Sequence, residues 1–217
     1  MDTFLDYAES YKKTQLVLWI DISTRCNAGC PQCHRTNPNG CGTVSWLPMI
    51  QWSLAQFKKA YPYSVLKHIH RFEICGTWGD PIMNKDIFQI CEYILQNSYA
   101  TILLNTNGSL RDEDWWFRFG YLGGKRIETW FAVEGINQEM HELYRQNTNL
   151  EKVLDNMESY SAYGRTSVFV VVFKHNEEHL LDIQKMTYDR GATDILFFPS
   201  NRWRNQVGNS KQSSKLE

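Results

Sequence analysis

Three cysteines fall within eight residues of this chain, Cys26, Cys30 and Cys33, in the spacing Cys-x3-Cys-x2-Cys. Thiolates are soft metal ligands, and a loop that wraps three of them around one point can hold zinc or iron. A closed structural site takes four protein ligands, for zinc as for a cubane iron–sulfur cluster. Three thiolates leave one metal position open, which is what a reactive centre needs. Two rival readings use the same residues. In one, Cys41 or His34 completes a zinc knot and the rest of the chain is an interaction scaffold. In the other, the protein is an electron carrier whose cluster has a fourth protein ligand.

The elements that must position these thiols follow from hydrophobic patterning. The apolar run Leu16–Ile22 reads as a strand buried on both faces, and the cysteine segment leaves its end. Residues 52–60 read as a helix stopped before Pro62. Further strands are expected at His70–Cys75, Thr101–Asn105, Ile127–Val133, Ser167–Phe173 and Asp194–Phe198. Helices fall between them: one on the stripe Ile87, Ile90, Cys91, Ile94, Leu95, then Asp112–Phe119, a third carrying Leu150, Val153, Leu154 and Met157, and Glu177–Asp189 with Asn176 as its cap. Strand and helix alternate six times, which predicts an α/β fold with a parallel sheet and right-handed crossovers. Six units suit a partial, TIM-like (β/α)6 barrel better than a closed eightfold one; a doubly wound open sheet is the alternative. Residues 1–199 are expected to form one domain, with 200–217 as a polar tail. Cys75 and Cys91 are expected in the core, as small buried hydrophobes.

The unusual polar stretches all follow the C-terminal end of an expected strand, the edge at which parallel α/β folds bind ligands. After the first strand come the cysteines. The second leads into Gly76-Thr77-Trp78-Gly79-Asp80-Pro81, the third into Asn105-Thr106-Asn107-Gly108, the fourth into Glu134-Gly135 and the fifth into Lys174-His175-Asn176.

Cysteine spacing, strand context and the order of these stretches resemble the radical S-adenosylmethionine (radical SAM) enzymes over residues 16 to 199. The resemblance implies a [4Fe-4S] cluster on Cys26, Cys30 and Cys33, whose fourth iron is chelated by the amino and carboxylate groups of S-adenosylmethionine. Gln32 stands where the family has an aromatic residue before its third cysteine, a position whose backbone meets the adenine. Thr77, Trp78, Gly79 and Asp80 lie in a stretch resembling the family's Gly-Gly-Glu-Pro, whose carbonyls and carboxylate accept from the methionine ammonium. Here Trp78 replaces the first glycine and Asp80 the glutamate. Asn105 and Asn107 correspond to the family's ribose-side Thr-Asn-Gly segment. Glu134 matches a position that binds the ribose hydroxyls, with Ala132 in place of the usual serine. Arg145 resembles an arginine that pairs with the methionine carboxylate, a task suited to a guanidinium fork. Lys174 is expected to face that carboxylate or the substrate.

The implied chemistry is one-electron cleavage of S-adenosylmethionine to methionine and a 5′-deoxyadenosyl radical, which abstracts hydrogen from a substrate. An electron donor such as flavodoxin or ferredoxin is implied, with a peptide, a protein or a small molecule as substrate. The motif order is most like the peptide- and protein-modifying branch. Those enzymes carry a cysteine-rich C-terminal extension, and this sequence has no cysteine after Cys91.

Composition narrows the classes. With 217 residues and a formal net charge of −1, the chain has one sizeable core and no basic face for nucleic acid or an anionic membrane. No apolar run approaches the roughly 20 residues of a membrane span, and the N-terminus lacks a signal peptide's pattern. A cytoplasmic protein is expected, in which clustered cysteines serve as metal ligands or redox groups.

Overall fold

The computed structural model describes residues 15–37 and 42–199; Cys41 and the expected tail lie outside them. Six strands, β1 (Val17–Ile20), β2 (Arg71–Ile74), β3 (Thr101–Thr106), β4 (Ile127–Ala132), β5 (Arg165–Val172) and β6 (Asp194–Pro199), form one sheet in which every neighbouring pair is parallel. Their order in the sheet is their order in the chain. A doubly wound sheet reverses direction at a switch point; this one never does, and winding in one direction curls it into a partial barrel with β1 and β6 as its edges.

Alternation along each strand divides helix side from barrel interior. On β2, Phe72 and Ile74 are fully buried in the core, while Arg71, Glu73 and the following Cys75 line the interior. Cys75 is therefore a cavity residue and not the core thiol expected from its place at a buried strand's end. Cys91 is in the core, as expected. The β1 run also differs from expectation: it has one strand neighbour, and Trp19 is 74% exposed.

Outside the sheet pack α1 (Leu54–Ala60), α2 (Tyr63–Leu66), α3 (Ile87–Asn97), α4 (Glu113–Gly123), α5 (Gln138–Glu142), α6 (Leu150–Ser161) and α7 (Leu180–Asp189). Their starts are chemically marked. Ser53 and Gln56 form a capping box on α1; Asp112, Asn137 and Asn149 accept backbone N–H groups at the starts of α4, α5 and α6. Phe57, Phe72, Trp116, Phe119, Phe131 and Tyr160 fill the space between helices and sheet. Each such side chain contributes roughly 1.5–3 kcal/mol by burial.

The last helix begins differently from its pattern. A 3-10 turn at Glu177–His179 precedes α7, and Asn176 makes no side-chain cap. Its amide turns inward instead. Oδ1 accepts from the Phe173 N–H at 2.8 Å, and Nδ2 donates to the carbonyls of Val171 at 3.0 Å and Glu134 at 3.2 Å. A buried amide with three backbone partners ties the ends of β4 and β5 together.

Candidate active site

A cavity of about 780 Å³ opens inside the barrel and reaches the C-terminal strand ends. Cys26, Cys30 and Cys33 line it beside Gly76, Thr77, Gly79, Asp80, Asn105, Asn107, Ala132 and Arg145. Stretches more than 100 residues apart in sequence thus share one wall.

The cysteine loop is held from several sides. Gly29 N–H donates to Gln146 O at 2.9 Å, and Thr36 Oγ1 donates to Cys30 O at 2.9 Å. Buried Arg35 reaches back to Thr24 O through Nε at 3.2 Å and Nη2 at 3.0 Å. A side-chain network joins the loop to the end of β3: Asn107 Nδ2 donates to Asn27 Oδ1 (2.9 Å), Asn27 Nδ2 to Ser109 Oγ (2.8 Å) and Ser109 Oγ to Asn107 Oδ1 (2.7 Å). Such a satisfied ring specifies geometry strongly in a low-dielectric setting.

The donor set fits a cluster. Cys26, Cys30 and Cys33 line one cavity together, a donor set in which each thiolate could bind its own iron of a cluster. Burial pushes the Cys26 thiol up to about 12 and raises Cys30 as well. Metal must therefore displace protons on binding, so loading is favoured by rising pH.

The expected cofactor-binding residues divide into two groups. Thr77, Gly79, Asp80, Asn105, Asn107 and Arg145 line the cavity; Gln32, Trp78, Glu134 and Lys174 are not among the residues that line it. Trp78 turns onto Trp46 (ring centroids 5.5 Å) and His34 (6.3 Å), so its side chain packs outside the site. Lys174 is exposed and Gln32 is buried. Asp80 directs its carboxylate into the protein, accepting from Thr106 Oγ1 at 2.9 Å, Asn107 N–H at 2.8 Å and Ile82 N–H at 3.0 Å. Desolvation raises its pKa while these bonds oppose the rise. Gly79 approaches the cysteine loop itself: a Cβ there would lie 2.2 Å from Ser23 O.

Asp21 has no role in the sequence reading, yet it orients the second stretch by accepting the Trp78 N–H at 3.3 Å. Its place at the end of β1, opposite the glycine-rich turn, is the signal that finds it. Cys75 is the other addition, with Asn105 Nδ2 3.9 Å from its sulfur.

Glu134 is wholly buried and forms a two-pronged pair with Arg145, Nε to Oε2 and Nη2 to Oε1, both 2.7 Å. The same guanidinium places Nη1 3.7 Å from Cys30 Sγ. His141 braces the pair. Its Nδ1 accepts the Glu134 N–H at 3.2 Å, so Nε2 carries the proton and faces Thr148 Oγ1 at 3.0 Å; Thr148 Oγ1 then donates to Arg145 O at 2.6 Å.

Burial and the nearby Arg145 push the His141 imidazole down to about 3 from its ordinary 6.5. Below pH 6.5 the unfolded chain takes up a proton that the folded chain refuses, so this group's contribution to stability is lost as pH falls toward 3. Urea unfolding is expected to show a loss of about 2 kcal/mol from this group between pH 7 and pH 5. His141→Gln is expected to flatten that slope; parallel slopes for variant and wild type would refute the assignment.

Comparison with known proteins agrees with this architecture. Residues 20–187 match the sequence profile of the Radical SAM superfamily. A probable GTP 3′,8-cyclase of Methanocaldococcus jannaschii is 24% identical over 177 residues, covering 81% of this chain and 56% of that protein. A GTP 3′,8-cyclase of Sulfurimonas denitrificans is 23% identical over 199 residues, 85% of this chain and 56% of its own. Among solved structures, native anSMEcpe with bound AdoMet superposes with a TM-score of 0.64 at 20% identity, over 85% of this chain and 51% of that one. Streptococcus suis SuiB bound to the precursor peptide SuiA gives 0.63 at 13% identity, over 88% and 42%. These structural likenesses establish a shared fold. The chain spans about half the length of the curated relatives it matches. With most of its length matched at residues 20–187, and with three thiols gathered at the C-terminal mouth of a six-stranded parallel partial barrel, the chain belongs to the radical SAM superfamily.

Proposed function

We propose that this protein is a radical SAM enzyme acting on a substrate held inside the partial barrel. The observation that carries the reading is the convergence of Cys26, Cys30 and Cys33 with Gly76, Thr77, Gly79, Asp80, Asn105 and Asn107 on one cavity. The three cysteines hold a [4Fe-4S] cluster through their thiolates, one protein ligand short of a closed site. When bound, the cluster supplies the single electron that cleaves S-adenosylmethionine to methionine and a 5′-deoxyadenosyl radical.

The chain's own residues bind and orient. Carbonyls of the Gly76–Gly79 turn offer acceptors to the three donors of the methionine ammonium. Asp80 holds that turn against the end of β3, and Asn105 presents its amide on the ribose side, while Asn107 secures the cysteine loop through Asn27. The inner wall includes Trp19, Leu103, Trp130, Phe169 and Phe198, a largely apolar surface that limits water around the reacting groups. Trp130 is fixed by its indole N–H, which donates to Glu128 Oε1 at 2.7 Å. The substrate is a peptide, a protein or a small molecule whose apolar part rests on this wall. The relatives include GTP 3′,8-cyclases and a protein solved with a bound precursor peptide, which supports this range of substrates. A small electron-transfer protein such as flavodoxin or ferredoxin supplies the electron. No helix of the described residues is long and apolar enough to cross a membrane, and a cytoplasmic site of action suits a cluster of free thiols.

The test is anaerobic reconstitution with iron and sulfide, reduction with dithionite and addition of S-adenosylmethionine. Release of 5′-deoxyadenosine with about four irons per chain supports the reading. An iron-loaded protein that leaves S-adenosylmethionine intact points to an electron carrier, and a colourless protein holding zinc overturns it.

A further inference from the structure

We propose that Arg145 and Asn107 are positioning residues that set the reduction potential of the cluster, by donating N–H···S hydrogen bonds to two of its three thiolates. The inference rests on the functional reading above and adds to it a tuning role for two side chains. Arg145 Nη1 lies 3.7 Å from Cys30 Sγ, and Asn107 Nδ2 lies 3.7 Å from Cys26 Sγ. Both distances are within the range of a hydrogen bond to sulfur.

Both donors are aimed by the protein's own contacts. Nε and Nη2 of Arg145 are committed to Glu134, its carbonyl is held through Thr148 to His141, and its guanidinium lies 5.2 Å from the centre of the Tyr144 ring. That leaves Nη1 directed at Cys30. Asn107 Nδ2 also reaches Asn27 on the cysteine loop, and its Oδ1 is held by Ser109.

The direction of the effect follows from charge. A cluster that gains an electron becomes more negative, and part of that charge falls on its sulfurs. N–H donors stabilise the reduced form more than the oxidised form and so raise the potential. The charged donor has the larger effect. Glu134 opposes it, since its carboxylate offsets much of the guanidinium charge, but the hydrogen bond to the sulfur comes from Arg145. The ion pair therefore acts as a trimmed positive charge beside one thiolate, weaker than a free arginine and stronger than a neutral amide.

Opposite substitutions give opposite signs, which a purely structural role does not produce. Wild type, Arg145→Lys, Glu134→Gln and Asn107→Asp are reconstituted anaerobically. Iron and sulfide are counted, and midpoint potentials are read by redox titration followed by electron paramagnetic resonance. Lysine has a single ammonium and cannot keep both oxygens of Glu134 while contacting Cys30. Its ratio of reduced to oxidised cluster at a fixed potential should fall about tenfold, which is ~59 mV for a one-electron couple. Asn107→Asp replaces the donor by an acceptor of the same shape and should shift in the same direction. Glu134→Gln keeps the shape, frees the arginine charge and should shift the potential upward. Cluster-loaded variants with wild-type potentials, or shifts of one sign for Arg145→Lys and Glu134→Gln alike, overturn the proposal. If Arg145→Lys does not fold, the other two variants decide it. Wild-type protein that loads no iron overturns the functional reading and this inference with it, whereas iron-loaded wild type whose variants do not shift overturns the inference alone.

Discussion

Cys30→Ala, reconstituted beside wild type, is expected to release no 5′-deoxyadenosine above background and to retain far less iron. Cys30 is buried and packs with Tyr144 and Phe173, and removing one sulfur leaves too small a cavity to unfold the chain. Its loss therefore acts on chemistry rather than on folding. Only two thiolates remain for the cluster, and Arg145 Nη1, now 3.7 Å from a vanished sulfur, faces an empty place with its charge still held by Glu134. Changing a residue behind a metal ligand commonly costs about 10–100-fold in metal affinity or activity; removing a ligand itself is expected to cost more. Near-wild-type product from a folded Cys30→Ala protein would remove the three-thiolate cluster from the account.

Gly79→Ala is expected to have the second largest effect, although the substituted atom is a single methyl. An added Cβ would lie 2.2 Å from Ser23 O and 2.7 Å from Arg25 O. Both obstacles are backbone atoms of the loop that carries the cysteines, so no side chain can swing aside. Relief requires the Gly76–Asp80 turn and the cysteine loop to separate. That breaks the 2.7 Å hydrogen bond from Asp80 N–H to Arg25 O and loosens the anchor beneath Cys26. Overpacking costs typically ~1–3 kcal/mol, and a backbone-on-backbone clash belongs at the upper end. The urea midpoint should fall accordingly, and iron retained after gel filtration should fall about tenfold, a change of ~1.4 kcal/mol in the apparent binding constant. Gly79→Ala protein with wild-type stability and full iron would show that the two segments do not need this close approach.

These two expectations come from different levels of description. The cysteine spacing is local, since three thiols within eight residues share a loop in any fold that follows strand with turn. The alternation of strands and helices is nearly as local. Apolar runs and the stripe on α3 each act over a few residues, so six units and a parallel sheet were legible. Clustering of the polar stretches at one end followed from topology, because consecutive parallel strands place all their C-terminal ends together.

Contacts between distant residues depend on strand register and on how far each side chain reaches. Cys75 faces the cavity because Phe72 and Ile74 take the helix side of β2, and a shift of one residue would reverse that choice. Trp78 packs outward on Trp46, so a bulky residue is accommodated at the motif's usual glycine, while the tight approach falls to Gly79. Asn176 caps no helix because two strand ends compete for its amide.

The amino-acid sequence by itself determined the cysteine spacing, the strand–helix alternation and the edge of the sheet at which the polar stretches gather, since these depend on residue type and short spacing. Only the tertiary structure decided which charges neutralise one another. Glu134 and Arg145 are eleven residues apart, Arg145 and Cys30 are 115 apart, and Asp80 meets Asn107 across 27. A buried carboxylate must find a partner wherever the fold supplies one, because leaving its charge unpaired costs more than any local preference can offset.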